Sequence, residues 1–239
     1  MHILADLFIV LILGFCIWQG YRRGIIGSIL AVIFIIVAVY GANLLANLYS
    51  DEFTTMFRPF VSGYLDGVEA EVVEEFAPAG LAGLSTEDVF RVAPEIEPVI
   101  AEHIFTAMGI HENRIHILVD QYLDARDAGE TVNRAMTEVI VTAFCFLIVF
   151  IIAFLLLLIA LTVIYNIIPF SFKIPGLRLV DDIAGGVLGL AQGLLLVFML
   201  TWFLGYLGLL IPEGLIEQTW LVETFTARNP MMGFIDLYP

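Results

Sequence analysis

Charge is scarce in this chain of 239 residues. Only 15% of it is Asp, Glu, Lys or Arg, against about 25% in soluble domains. Basic residues are scarcer still, 10 against 25 acids, so no nucleic-acid partner is expected. The two cysteines, Cys16 and Cys145, lie inside apolar runs and imply buried thiols rather than a disulfide framework or a metal cluster. The sequence has no Ser-centred nucleophile elbow, no His-Glu-x-x-His and no phosphate loop. His111 and His116 stand five apart, off the shared helix face of an i, i+4 zinc pair, and His103 stands alone. Glu69, Glu71, Glu74 and Glu75 lack the alternating ligand spacing of a calcium loop. These gaps predict a non-enzyme with no cofactor and no metal, and a solvated face for the four glutamates.

Apolar residues are abundant: 60% of the chain, with a mean hydropathy of +0.96. That places it among multi-pass membrane proteins. A hydrocarbon core of about 30 Å needs roughly 20 apolar residues per helix. Four stretches meet or approach this: residues 2–19, 25–48, 139–164 and a run after Asp182. The fold class expected is therefore an all-α integral membrane protein with four transmembrane helices. Residues 1–48 hold the first two, 138–211 the last two. Asn43 is the only strongly polar side chain of the second stretch and lies near its end.

Residues 49–137 form a polar block between the pairs. Asp51 to Glu138 holds 18 acids against 5 arginines, so most of the net charge of −15 sits there. Val61, Leu65, Val68, Val72 and Phe76 recur at helical spacing. Ser85 with Asp88 three residues on reads as a helix start. Ile115, Leu118, Val119 and Tyr122 give another stripe. The expectation is a small helical extracytoplasmic domain with a thin core for its size. Residues 212–239 read as an amphipathic tail lying in the membrane interface.

The motif that organises the chain runs from Lys173 to Phe198. Asp181 and Asp182 open an apolar helix as a cap or an ion site. Gly185, Gly189 and Gly193 follow at intervals of four, on one helix face. Such a face lets a second backbone approach closely. Gln192, beside it, suits an interhelical hydrogen bond. Two short turns carry the cations that flank spans: Arg22 and Arg23, set between Gly20 and Gly24, in one, and Lys173 and Arg178 in the other. The positive-inside rule puts both turns in the cytoplasm and the termini and acidic block outside.

Two regions together resemble the colicin V production protein (CvpA) family. One is Asp6, Gly14 and Gln19 to Gly27 (Gln-Gly-Tyr-Arg-Arg-Gly-Ile-Ile-Gly); the other is Val180 to Gly185 with Gly189 and Gly193. Asp182 and Gln192 stand where the family pattern carries arginine. The resemblance implies an inner-membrane protein that supports toxin or bacteriocin production or secretion and cell-envelope maintenance. Its expected partners are the lipid bilayer and other membrane proteins or further copies of itself. A small transporter or channel subunit, oligomeric around Asn43, Gln192 and the Asp181–Asp182 pair, is the alternative.

Overall fold

The structure is a computed structural model that describes residues 2–76, 83–108, 110, 112–167, 178–206 and 224–225. Among these, every regular element is helical: α1 (His2–Phe76), α2 (Thr86–Val92), a 3-10 turn (Pro94–Ile96), α3 (Glu97–Ala107), α4 (Glu112–Asp127), α5 (Val132–Ile167) and α6 (Arg178–Tyr206). Lys173 and nearly all of the tail at 212–239 lie outside the described residues.

Three helical stretches are long and apolar enough to cross a membrane: Asp6–Phe76, Val132–Ile167 and Leu179–Phe203. The sequence predicts four such stretches. The difference lies in α1, which carries the first two apolar runs and continues past Leu48 to Phe76, with Pro59 inside it. Only Gly24 interrupts it, at φ 74° and ψ −175°, a backbone state that a side chain would strain.

The chain divides into two compact units: Met1–Ala46, Val149–Gly205 and Ile211–Pro239 in one, Asn47–Ile148 and Tyr206–Leu210 in the other. In the first unit, residues before Gly24 pack against α6. Gly20 faces Gly189, Leu13 faces Gly193, and Ile9 is buried with Val197. As α6 advances its partner recedes, so the two are antiparallel. Residues after Gly24 pack against α5, with Gly27 facing Tyr165 and Gly41 facing Leu157. That pair is antiparallel as well. The Phe150 and Trp202 rings, 5.3 Å apart, tie α5 to α6. The chain therefore reverses direction at Gly24. Of the tail, Phe225 is described, and its ring lies 5.1 Å from that of Phe198.

The second unit is held differently. Ser85 caps α2, its hydroxyl oxygen accepting from the Asp88 amide at 3.2 Å. The core is larger than the sequence suggests: Leu65, Phe90, Ile104, Phe105, Leu118 and Tyr122 are all fully buried. Helices from distant parts of the polar block supply these side chains, so no single stripe shows the core's extent. The acids are not all solvated either. Glu71, Glu74 and Glu75 are exposed, as expected. Glu69 departs from that expectation: it is half-buried, and its Oε2 is shut from solvent without a hydrogen-bond partner.

Glu87 and Glu97 converge on Arg126. The Arg126 guanidinium donates to Glu97 at 2.8 Å and pairs with Glu87 at 3.1 Å. The Tyr122 hydroxyl donates to Glu97 at 2.6 Å, and the Val132 amide donates to Glu87 at 2.8 Å. Burial, then the bond to Glu97, pushes the Tyr122 phenol well above its ordinary range. Burial alone would pull Arg126 down, but Glu97, Tyr122 and Glu87 outweigh it and raise its pKa. The acid excess thus conceals a built ion network.

Candidate functional site

The site is the crossing where the Gly24 turn meets the start of α6. A helix that restarts after a break exposes amide groups with no partner in their own helix. Here the Ile25 amide donates to Asp181 Oδ1 at 3.0 Å across 156 residues of sequence. Asp181 is 3% exposed. It caps the helical segment of residues 25–76 as well as standing in the first turn of α6. Its sequence neighbour Asp182 is half-buried. Ser28, fully buried, closes the turn by donating its hydroxyl to the Gly20 carbonyl at 3.2 Å.

The glycines explain how the backbones come so close. A Cβ built on Gly185 would stand 2.7 Å from the Gly24 carbonyl carbon. One on Gly20 would stand 2.7 Å from the Gly189 Cα, and one on Gly189 would collide with the Cys16 carbonyl. Real Cβ atoms do not approach backbone this closely. Gly193, at the end of the series, is looser: its nearest neighbours would be the Cys16 and Leu13 side chains at 3.1 Å. Gly186, off the face, meets nothing nearer than 3.8 Å. The four-residue series therefore lies against an earlier part of the same chain.

Two cavities flank the crossing. A groove of about 610 Å³ runs between the first segment of α1, α5 and α6, lined by Phe8, Phe15, Phe150, Phe154 and other apolar side chains. A smaller cavity of about 190 Å³ holds Arg23, Thr162 and Tyr165. Gln19, Gln192 and Leu196 line both. The Arg23 guanidinium carbon sits 5.6 Å from the centre of the Tyr165 ring, a cation–π distance. Arg22 turns away and lies 5.1 Å from the Trp18 ring centre.

Of the predicted site residues, Gly185, Gly189, Gly193, Gln192, Gly20, Gly24, Arg23 and Asp181 come together around this crossing. Arg178 opens α6, and Lys173 falls outside the described residues. Asn43 lines neither cavity, while Asp181 is already engaged by Ile25. Gln19, Ser28 and Tyr165 also stand at this crossing, and spacing did not single them out. Gln19 and Tyr165 carried one signal: each is a polar group at the end of an apolar run.

Residues 123–230 match the family model described as Colicin V production protein. That match covers α5, α6 and the glycine series, and less than half of the chain. Neither a curated protein nor a solved structure matches the sequence. The first 48 residues, where the other half of the resemblance lies, are outside the matched range.

Proposed function

We propose that the chain is a colicin V production protein throughout, and that it works as a non-enzymatic multi-pass protein of the cytoplasmic membrane. In this reading it supports bacteriocin production or secretion and envelope maintenance by holding protein partners in the membrane. One observation carries the proposal. The two sequence regions that resemble the family, far apart in the chain, meet at the Gly20–Gly24 turn and the Gly185–Gly189 face. A likeness that recurs on both sides of one contact is a likeness of the built object.

The reversal at Gly24 supports four crossings, two of them within α1. Arg22, Arg23, Lys173 and Arg178 then lie in the cytoplasm, and the termini and residues 49–137 lie outside. A cysteine at Ser85 should react with an impermeant thiol reagent in intact cells, and one at Phe172 should not. The functional test uses a host strain lacking the protein, assayed for bacteriocin release and resistance to envelope stress. The wild-type chain restores both. Gly189→Leu, present in the membrane at wild-type level, restores neither. Full restoration by that variant would overturn the proposal, and solute flux into liposomes bearing the purified chain would reassign it to transport.

A further inference from the structure

We infer that the two cavities beside the glycine crossing form one cleft that binds a phospholipid with an anionic headgroup. The phosphate would sit at Arg23 and an acyl chain would lie along the Phe8–Phe15 groove. The groove's volume of about 610 Å³ falls in the roughly 300–1,000 Å³ of small-molecule pockets. Its wall includes Phe8, Leu11, Phe15 and Leu155, all exposed. It therefore opens sideways, where lipid tails lie. At its other end it passes Gln19 and Gln192 into the small cavity that holds Arg23, Thr162 and Tyr165. Apolar length with a cation at one end suits one acyl chain of a phospholipid and the anionic headgroup it carries.

Arg23 identifies the head. It is half-buried, and no described carboxylate forms an ion pair with it. Asp181, the acid at the turn, accepts from Ile25 instead. Residues 168–177, between α5 and α6, contain no acid. A half-buried cation with no ion-pair partner among the described residues is costly to leave unmatched, and a guanidinium matches a phosphate with paired donors. The amides of Gln19 and Gln192 offer further donors within the same cleft. A free phosphate would use the smaller cavity only and leave the groove unexplained. The site stands apart from the family role and topology proposed above, because binding in a nanodisc is read without reference to leaflet or partner.

The test places the full chain in phosphatidylcholine nanodiscs doped with phosphatidylglycerol and counts retained lipids by native mass spectrometry. The wild-type chain should retain phosphatidylglycerol in preference to phosphatidylcholine. Arg23→Gln should reduce that preference about tenfold, the loss expected for a charged hydrogen bond. Arg23→Lys should keep most of it. Arg22→Gln, whose side chain lies on Trp18, should leave it unchanged. Leu196→Trp, which fills the junction of the two cavities without touching charge, should reduce retention of both lipids and decides the matter if Arg23→Gln fails to fold. Water-soluble glycerol phosphate should not compete. Equal losses from Arg22→Gln and Arg23→Gln would mean general interfacial charge. Competition by glycerol phosphate would mean a plain anion site. Either result, or unchanged retention in Leu196→Trp, would overturn the proposal.

Discussion

The two units of this chain are held together by opposite means. Around Gly24 the contacts are backbone on backbone, made possible by glycines at 20, 24, 185 and 189. Around Arg126 they are large buried apolar side chains and a half-buried cation shared by two carboxylates. Under the proposed topology, with the first unit in lipid and the second in water, the physical reason is the solvent. Lipid tails reward helix association no more than a leucine side chain does, so close van der Waals approach must supply the stability. In water, burial of Phe90, Phe105 and Tyr122 supplies it directly, at roughly 25 cal/mol per Å² of apolar surface. The first unit should therefore be intolerant of added atoms, and the second of removed ones.

The contrast breaks most sharply at Gly189. Leucine there adds four carbons against the Cys16 carbonyl and the Gly20 Cα. Overpacking a core usually costs about 1–3 kcal/mol; neighbours that are backbone cannot rotate away, so the loss should exceed about 3 kcal/mol. Thermal unfolding in mild detergent should show it, with membrane level unchanged. Gly186→Ala, facing neighbours no nearer than 3.8 Å, is the matched control and should melt like the wild type.

Removal should dominate in the other unit. Arg126→Met leaves Glu97 and Glu87 facing each other without their cation. Breaking a fully buried pair costs about 3–5 kcal/mol. Glu87 keeps 35% of its side-chain exposure, so about 2–3 kcal/mol is expected after discounting for solvent. Protease resistance of the region around α3 and α4 is a direct readout. If Arg126→Met is as stable as the wild type, the network does not hold that unit.

Asp181→Ala should cost less, about 1–2 kcal/mol, as loss of a helix cap does. Asp181→Asn, which keeps an acceptor for the Ile25 amide, should recover most of that. Asp182→Ala should be nearly neutral. Equal effects at both positions would remove the cap across the turn from the account. The smallest change is expected at Glu69. Glutamine there removes a charge from a half-buried carboxylate whose Oε2 has no partner, near the negative charges of Asp66 and Glu87. Chemical denaturation should find Glu69→Gln within about 0.5 kcal/mol of wild type or more stable. A clear loss would indicate a cation held at that carboxylate.

Much of this was readable from spacing. Glycines four apart in an apolar run state that a backbone approaches, and Ser85 with Asp88 states that a helix begins. Neither can name a partner far away in the chain. The residue that meets Gly189 is Cys16, and the amide that meets Asp181 belongs to Ile25; nothing local to either encodes the pairing. The extent of α1 was hidden for another reason. At Tyr49 the composition turns from apolar to polar, which changes the surroundings of a helix without ending it. The Arg126 network was hidden by number. Against 18 acids between Asp51 and Glu138, two carboxylates committed to one arginine look like the rest.

The central claim is that the glycine face of α6 binds the first segment of the same chain. In a chain with Cys16 and Cys145 replaced by alanine, cysteines at Ile9 and Val197, buried together in one cluster, would be bridged in native membranes with a short bifunctional thiol reagent. The account predicts a cross-link within one chain, seen as a faster-migrating monomer, formed equally well when the chain is diluted into excess lipid. A product found only as a dimer, and lost on dilution, would place the glycine face between copies and contradict it.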